Sequence, residues 1–248
     1  MASTTFTGKV AFVTGGARGI GAAIVERLAR DGAAVAFTYK GSGALAAALA
    51  ARMEAAGGRV LALQADAGDA AALTGAIDAA ARHFGRIDIL VNNAGVGLMG
   101  TIANFSLEDF DKTLAVNLRA VFVAAKAVLP HMGPGGRIIN IGSCNAERIP
   151  FPGGAAYAMS KSALQGLVQG MARDLGPRGI TVNNVQPGPT NTDMNPESGQ
   201  FAAALHGLMA IQRHAQPDEI AGMVAYVASP EAGFVTGASL TIDGGFNA

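Results

Sequence analysis

The chain has 248 residues, 50% of them hydrophobic, which is enough for one well-buried core and predicts a single domain over residues 1–248. Eighteen basic and eighteen acidic residues give a net charge of zero, so the sequence offers no electrostatic field for nucleic acid or an anionic membrane surface. The single cysteine excludes an intramolecular disulfide, and the four histidines show no metal-ligand spacing, so we expect no metal.

The chain begins with MASTTFTGKV, which has neither the basic segment nor the apolar stretch of a secretory signal. No later apolar run reaches the length that spans a bilayer. We therefore expect a cytoplasmic protein whose partners are small molecules rather than nucleic acid or membrane.

Short apolar runs alternate with longer helical patterns along the whole chain. The candidate strands are residues 10–13, 34–38, 59–63, 87–91, 137–141, 180–185 and 238–242. The candidate helices include AAIVERLARDG, ALAAALAARMEAAG, AALTGAIDAAARHFG and the stretch from Tyr157 to Leu175. Strands apolar on both faces that alternate with helices are typical of a parallel sheet covered on both sides. We predict an α/β fold, a doubly wound seven-stranded parallel sheet of the Rossmann type.

The stretch TGGARGIG, residues 14–21, lies where the first strand turns into the first helix. Gly15, Gly19 and Gly21 have no side chains, so a pyrophosphate can approach backbone N–H groups and the positive end of the helix. The spacing is GxxxGxG rather than GxGxxG, and the alternative is a tight turn that binds nothing. Within an alternating βα pattern, this turn predicts a dinucleotide site.

The end of the second strand, Thr38, Tyr39 and Lys40, bears on which nicotinamide cofactor binds. An acidic residue there would bind the ribose hydroxyls of NAD(H), but residues 33–44 contain none. Lys40, together with Arg18 of the glycine turn, can instead compensate a 2′-phosphate, so the sequence favours NADP(H). The alternative is that Lys40 is a solvated loop residue.

Tyr157 and Lys161 stand four residues apart on a predicted helix, which puts both side chains on one face. A phenol is a weak acid at neutral pH, but an ammonium nearby favours the phenolate. Lysine would in this way tune the tyrosine for proton transfer. The alternative is that the two are surface neighbours.

The segment PGPTNTDMNPESGQ, residues 187–200, breaks the apolar pattern and precedes a predicted helix, FAAALHGLMAIQ. We interpret about 188–215 as a substrate-loop excursion from the domain. Its apolar side chains either line a substrate site or pack as helix core. They are Met194, Phe201, Leu205, Leu208 and Met209.

Six motifs occur together, and in this combination the chain resembles the short-chain dehydrogenase/reductase family over essentially its entire length. They are TGGARGIG, NNAG at 92–95, Asn117 in AVNLRAVF, Ser143 in NIGS, YAMSK at 157–161 and PGPTNT at 187–192, and the ending FVTGASLTIDGG extends the likeness.

The resemblance implies a role for each matching residue. Tyr157 would protonate the substrate carbonyl oxygen, and Lys161 would lower its pKa and hold the nicotinamide ribose. Ser143 would orient the carbonyl, and Asn117 would steady a water in the proton relay. Asp66 would contact adenine, Asn93 and Gly95 the adenine ribose region, and Thr190 and Thr192 the nicotinamide amide. The full predicted cofactor set is Gly15, Arg18, Gly19, Ile20, Gly21, Thr38, Tyr39, Lys40, Asp66, Ala67, Asn93, Ala94, Gly95, Tyr157, Lys161, Pro187, Gly188, Thr190 and Thr192.

Each position also has a purely structural alternative. Ser143 would then cap a strand end, Asn117 would bond a neighbouring backbone group, and Asp66 would be a helix N-cap. Asn92 and Asn93 would be turn formers.

The loop CNAERIPFPGGAA, between Ser143 and Tyr157, is one residue longer than in many relatives. It places Cys144, Asn145, Glu147 and Arg148 near the expected site, as polar substrate contacts or as a buried pair. Cys144 is interpreted as a packing residue, because no base partner is apparent.

Three functions are compatible with these residues. The first is NADPH-dependent reduction of a ketone or 3-oxoacyl thioester, and the second is oxidation of a secondary alcohol by the same residues. The third is a binding or regulatory protein, because the carboxyl-terminal part resembles a bacterial subgroup that contains a cyclic-di-GMP-binding protein, although no separate Arg-rich patch is visible. The resemblance also implies a homotetramer in which helices around residues 106–129 and 157–176 pack across interfaces.

Overall fold

A computed structural model describes residues 5–248, so residues 1–4 of the segment examined for a leader lie outside the described part. The strands are β1 Val10–Val13, β2 Ala34–Tyr39, β3 Arg59–Gln64, β4 Ile89–Asn92, β5 Arg137–Ile141, β6 Thr181–Pro187 and β7 Ser239–Ile242. The helices are α1 Gly19–Arg30, α2 Gly43–Ala55, α3 Ala70–Phe84, α4 Leu107–Leu114, α5 Ala120–Val128, α6 Ala155–Leu175, α7 Ala202–His206 and α8 Pro217–Ala228. Each predicted strand is present, with bounds shifted by at most two residues.

The seven strands form one sheet in the order β3-β2-β1-β4-β5-β6-β7, and every pairing is parallel. The predicted fold class is confirmed. The strand order reverses direction between β1 and β4, and in sheets of this kind ligands bind at the carboxyl ends of the strands beside that reversal. The glycine turn follows β1 at this point.

Alternate residues of the central strands enter two cores, one on each face of the sheet. On one face Val13 and its neighbours pack against Ile24 of α1 and Val224 of α8. On the other face Phe12 packs with Ile77 of α3. Because successive strand residues point to opposite faces, the strands must be apolar throughout, as their sequences are.

Helices α4 and α5 run through a π-helical turn, Ala115–Arg119, into one continuous rod, Leu107–His131. Among the described residues it is the helix whose length and mean hydropathy, 1.4, would suit a membrane span, and 39% of that window is buried inside the protein. Sequence inspection did not identify it as such. Ala124 and Val128 of the rod are fully buried in the core that α3 shares, so the rod belongs to the packed domain.

The helix predicted for residues 201–212 is wrong beyond His206. Gly207 follows α7, and the next residues turn back toward the carboxyl end of the chain, where Ile211 N donates to Gly244 O at 2.8 Å. Met209 is buried with Cys144 and Phe246 in a small separate cluster. Tertiary packing outweighs helix propensity in this segment.

Candidate functional site

The glycine turn connects β1 to α1 and has a conformation that other residues would not adopt easily. Gly15 and Gly19 have positive φ angles of 65° and 53°, a region that L side chains rarely occupy. A Cβ at Gly21 would lie 2.2 Å from Gly15 O, so only glycine fits there. The glycines therefore let the chain turn tightly from β1 into the start of a helix, the position at which a pyrophosphate can bind backbone N–H groups.

Two of the predicted cofactor residues hold this turn in place. Asn93 Nδ2 donates to Thr14 O and Gly15 O, both at 3.0 Å, and Gly15 N donates to Thr38 Oγ1 at 3.1 Å. The Thr38 side chain is buried. Asn93 and Thr38 thus hydrogen-bond to the turn and stabilise it, Asn93 from a half-buried position and Thr38 from a buried one.

Both predicted cations of the cofactor site have carboxylate partners. Lys40 Nζ lies 2.6 Å from Asp66 Oδ2, and Arg18 Nη1 lies 3.1 Å from Asp193 Oδ2. The hydrogen bond from Lys40 and one from the Gly68 backbone hold the pKa of Asp66 below its usual value.

Lys40 has a carboxylate partner, yet its side chain is 71% exposed, so it is also the solvated residue that the alternative interpretation described. Asp66 is not a helix N-cap, because Asp69 caps α3 by accepting from Ala71 N and Ala72 N. Parallel pairing of Tyr39 with Gln64 brings the ends of β2 and β3 together, which explains the Lys40–Asp66 contact.

Tyr157 and Lys161 lie near the start of α6, as predicted, with Lys161 Nζ 5.8 Å from the centre of the tyrosine ring. Lys161 is buried, and its Nζ donates to Ile141 O at 2.8 Å. A methyl group placed at Gly95 would lie 3.6 Å from Lys161 Nζ and 3.4 Å from Asn117 Oδ1. The fold thus brings together the carboxyl ends of β4 and β5, the first turns of α6 and the π-helical turn of the α4–α5 rod.

The pKa of Tyr157 shifts in the direction opposite to the sequence-based expectation. Burial by surrounding protein raises the pKa of Tyr157, while a hydrogen bond with the Ser143 hydroxyl opposes that rise. Burial also lowers the pKa of Lys161 to about 8. The Lys161 ammonium lies against the tyrosine ring and donates to the Ile141 carbonyl. Desolvation of the phenol therefore has a larger effect on the pKa of Tyr157 than the charge of Lys161 has. Tyr157 is therefore a proton donor that stays protonated at neutral pH.

Asn117 occupies the π-helical turn of the rod and is almost fully buried. Its Oδ1 accepts from Val96 N at 2.8 Å, and its Nδ2 donates to Val96 O at 2.9 Å and to Ser160 Oγ at 3.1 Å. Ser160 Oγ in turn donates to Tyr157 O at 2.7 Å. Such π-helical turns occur frequently at functional sites. Asn117 binds the backbone, as its structural alternative stated, and by doing so ties the loop after β4 to α6.

Ser160 is a site residue that sequence analysis missed. Its spacing of three from Tyr157 on α6 puts it on the same helical face, and that was the available signal.

Ser143 follows β5 and is buried beside Tyr157, where its Oγ accepts from Asn145 N at 3.1 Å. Cys144, next to it, is buried, and burial raises the pKa of its thiol to about 12. Cys144 therefore packs as expected and has no nucleophilic character at neutral pH.

Glu147 and Arg148 do not form the buried pair that the sequence left open. Both are exposed, and they bind different partners. Glu147 Oε1 accepts from Gln186 Nε2 at 2.8 Å, while Arg148 donates to Phe246 O at 2.6 Å and stacks over the Phe246 ring. The loop they belong to is attached to β6 and to the carboxyl-terminal segment.

The substrate loop begins at the end of β6 and folds back over the glycine turn. Thr190 is buried, with its Oγ1 donating to Gly188 O at 3.0 Å. A Cβ on Gly188 would lie 2.6 Å from Asp243 Cα, so glycine is required there, directly after Pro187. A methyl group at Gly19 would lie 3.2 Å from Thr192 Cγ2. Thr192, which was predicted to contact the nicotinamide amide, therefore packs against the glycine turn.

The apolar side chains of the loop divide between the two interpretations left open. Met209 is buried beside Cys144, with Leu205 and Leu208 packed against that cluster. Met194 and Phe201 are exposed. A methyl group at Gly97 would lie 3.2 Å from Met194 Sδ, so Met194 borders the mouth of the site.

The remaining predicted cofactor contacts lie around the same edge of the sheet. Ile20, Tyr39, Ala67 and Ala94 are all half-buried there. Among residues 5–248 no group of three or more histidine, cysteine or acidic side chains is arranged to hold a metal ion.

Comparisons with known proteins give consistent relationships. The family described as enoyl-(acyl carrier protein) reductase matches residues 15–247. The cyclic-di-GMP-binding biofilm dispersal mediator protein of Escherichia coli is 51% identical over 243 residues, covering 98% of this chain and 99% of the relative. A short-chain dehydrogenase/reductase from Serratia marcescens superposes with a TM-score of 0.97 at 63% identity, covering 98% of this chain and all of the other. A short-chain dehydrogenase from Burkholderia cenocepacia in complex with NADP has the same TM-score and coverage at 54% identity.

Proposed function

Since the chain belongs to the short-chain dehydrogenase/reductase family, we propose that it is an NADPH-dependent reductase of ketone or 3-oxoacyl carbonyl groups, reversible with the secondary alcohol. The observation that carries the proposal is the convergence of Ser143, Tyr157 and Lys161 beside the glycine turn. These groups supply a hydroxyl to orient a carbonyl, a proton donor and a cation within one site.

The residues present fit a nicotinamide dinucleotide. Gly15 and Gly19 take positive φ angles in the turn that leads into α1, and the start of a helix is where backbone N–H groups suit a pyrophosphate. Arg18 and Lys40 supply the cations that a 2′-phosphate needs, and the relative from Burkholderia cenocepacia binds NADP. Lys161, whose Nζ lies near Gly95, is proposed to hold the nicotinamide ribose.

NADPH, when bound, supplies the hydride. Ser143 then donates a hydrogen bond to the substrate carbonyl oxygen, and Tyr157 donates its phenolic proton to that same oxygen. A phenol is protonated at neutral pH, and burial raises the pKa of Tyr157 further, so the donor is ready in the direction of reduction. The Lys161 ammonium stabilises the phenolate left behind, since the two side chains share one face of α6.

Asn117 is proposed to hold one water of the relay that reprotonates the site. Both of its N–H groups are used, by Val96 O and Ser160 Oγ, and Val96 N occupies one acceptor position of Oδ1. An amide oxygen accepts two hydrogen bonds, so one acceptor position is left for water. That oxygen lies near Gly95 and Lys161, where a water can reach the ammonium.

The substrate class is proposed to be an apolar ketone. Met99, Met194 and Phe201 are exposed apolar side chains on the loops at this end of the sheet, and Met194 borders the mouth of the site beside Gly97. Apolar walls with a few convergent polar groups are typical of small-molecule sites.

The test is the loss of reduced-nicotinamide absorbance with NADPH and, separately, NADH across small, aryl, cyclic and 3-oxoacyl ketones. We expect turnover that prefers NADPH and favours the aryl and cyclic members. A protein that binds NADPH but turns over no ketone in the panel and oxidises none of the matching alcohols would contradict the proposal.

A second candidate function is binding of cyclic di-GMP by a regulatory protein of the same fold. It is favoured by one observation, the 51% identity with the cyclic-di-GMP-binding relative from Escherichia coli. Isothermal titration with cyclic di-GMP, with and without saturating NADPH, tests it. Saturable binding would support this candidate, and absence of binding heat in both titrations would exclude it.

We also propose a homotetramer. Leu107 and Phe122 on the rod and Met159 on α6 are exposed apolar side chains, as are Tyr226 on α8 and Phe234 in the segment before β7. Two separate apolar surfaces on one chain suit an assembly with two kinds of interface. Light scattering after size exclusion tests this, and a monomer mass at micromolar concentration would contradict it.

A further inference from the structure

The two cations offered to a 2′-phosphate are each bound by a carboxylate from a distant part of the chain. Arg18 Nη1 lies 3.1 Å from Asp193 Oδ2, and Lys40 Nζ lies 2.6 Å from Asp66 Oδ2. These four groups sum to zero charge. A doubly charged phosphate group that binds here must compete for cations that already have partners.

Asp193 is the carboxylate whose effect can be isolated, because Asp66 is itself predicted to contact adenine. It lies in the substrate loop, in a turn closed by Asn195 N donating to Thr192 O at 3.0 Å. Thr192, beside it, packs against Gly19 of the glycine turn. The backbone on the amino-terminal side of Asp193 therefore sets its carboxylate next to Arg18.

We propose that Asp193 is a specificity-determining residue for the cofactor, whose carboxylate competes with the 2′-phosphate of NADPH for Arg18. The inference rests on the proposed function in one respect, that a nicotinamide cofactor occupies the glycine turn. NADPH must separate Arg18 from Asp193 and places its phosphate near the released carboxylate. NADH has a hydroxyl at that position and binds with the ion pair intact. Asp193 thus lowers the preference for NADPH that Arg18 and Lys40 create.

The Arg18 and Asp193 side chains are both more than half exposed, and this exposure limits how strongly Asp193 can change NADPH affinity. Exposed ion pairs contribute little, and salt screens them. Loss of the Asp193 charge is therefore expected to change NADPH affinity about two- to fivefold. If the pair serves only to hold the substrate loop, its loss must instead change the affinities for both cofactors alike.

The experiment measures dissociation constants for NADPH and NADH by the emission of the bound reduced cofactor, at low ionic strength. Asp193→Asn keeps the size of the side chain and removes its charge. We expect the dissociation constant for NADPH to fall about two- to fivefold and that for NADH to stay within twofold of the wild type. In an Arg18→Gln background, Asp193→Asn should change the NADPH constant clearly less than it does in the wild type, because the cation for which the two anions compete is gone.

Glu197→Gln is the matched control, since it removes one negative charge from the same exposed loop. Glu197 accepts from Gln216 Nε2 at 3.0 Å, whereas Arg18 pairs with Asp193, so loss of the Glu197 charge should leave NADPH affinity unchanged. The inference is overturned if Asp193→Asn alters both cofactors equally, if it acts fully without Arg18, or if Glu197→Gln reproduces it. Failure of the wild type to bind either cofactor would overturn the proposed function instead.

Discussion

The catalytic centre and the cofactor rim lie at the same edge of the sheet but are built in opposite ways. In the centre, the Lys161 and Asn117 residues are 5% and 1% exposed, and each is held by backbone groups of a separate segment. At the rim, the side chains of Arg18 and Lys40 are 59% and 71% exposed and are held by single carboxylates. The centre is rigid and desolvated, whereas the rim is solvated and adjustable.

This difference predicts how strongly each region responds to substitution. A buried group that loses its partner leaves another polar group unpaired, which is costly. An exposed charge that loses its partner is solvated by water and screened by salt. Substitutions in the centre should therefore act through chemistry and folding, and those at the rim through modest changes in cofactor affinity.

The largest expected effect is that of Tyr157→Phe, which removes only the proton donor. Turnover should fall by about 10²–10⁴-fold, because the Ser143 hydroxyl, the other group proposed to bind the carbonyl oxygen, is a far weaker acid than a phenol. NADPH affinity should stay within twofold of the wild type, measured by emission of the bound cofactor. Retention of a tenth or more of the turnover would exclude Tyr157 as the donor.

Next comes Asn117→Ala, which breaks one buried and two partly buried hydrogen bonds at the π-helical turn. The free energy of unfolding should fall by about 1–3 kcal/mol, because the N–H and C=O of the half-buried Val96 lose their side-chain partner. Urea unfolding of wild type and variant measures this difference. Thr101→Ala, at an exposed position on the neighbouring loop, is the control and should change stability by less than about 0.5 kcal/mol. Equal stability of Asn117→Ala and wild type would contradict the structural role.

Lys161 gives the catalytic centre a pH dependence of folding. Its pKa is lowered from 10.5 to about 8 in the folded protein, so between these values the unfolded chain binds more protons than the native one. Stability contributed at this site must then rise with pH from about 8 to 10.5, by up to about 1.4 kcal/mol per pH unit. Lys161→Met should abolish that rise, seen as the difference in unfolding free energy between the two proteins across this range.

Lys126→Met, an exposed lysine on α5, is the control for the pH experiment. It should follow the wild-type curve. A Lys161→Met curve parallel to the wild type would show that burial does not lower the pKa of Lys161.

The sequence predicted most of what depends on local pattern. Strands such as VAFV, residues 10–13, are apolar on both faces because two cores cover the sheet, and TGGARGIG has glycine where the turn accepts nothing else. Tyr157 and Lys161 were predicted from helical spacing. Contacts between distant segments were not predictable: the partners Asp66 and Asp193 of the two cations follow from the folded chain. The direction of the Tyr157 pKa shift also depends on burial, which spacing does not show.

The smallest effect is expected at the rim, for Lys40→Ala. The dissociation constant of this variant for NADPH should rise about three- to tenfold. One cation is lost, and the Asp66 carboxylate that Lys40 neutralised is left facing the phosphate. NADH affinity should stay within twofold, and turnover at saturating NADPH should not change, because Lys40 touches none of the reacting groups. Near 1 M salt, where the screening length is about 3 Å, the difference from wild type should largely vanish. Lys126→Ala is again the matched control. The affinities for NADPH and NADH could instead weaken equally, or the effect on NADPH could persist in salt. Either result would mean that Lys40 shapes the end of β2 rather than binding the phosphate charge. The cofactor rim would then not differ from the catalytic centre in the way proposed.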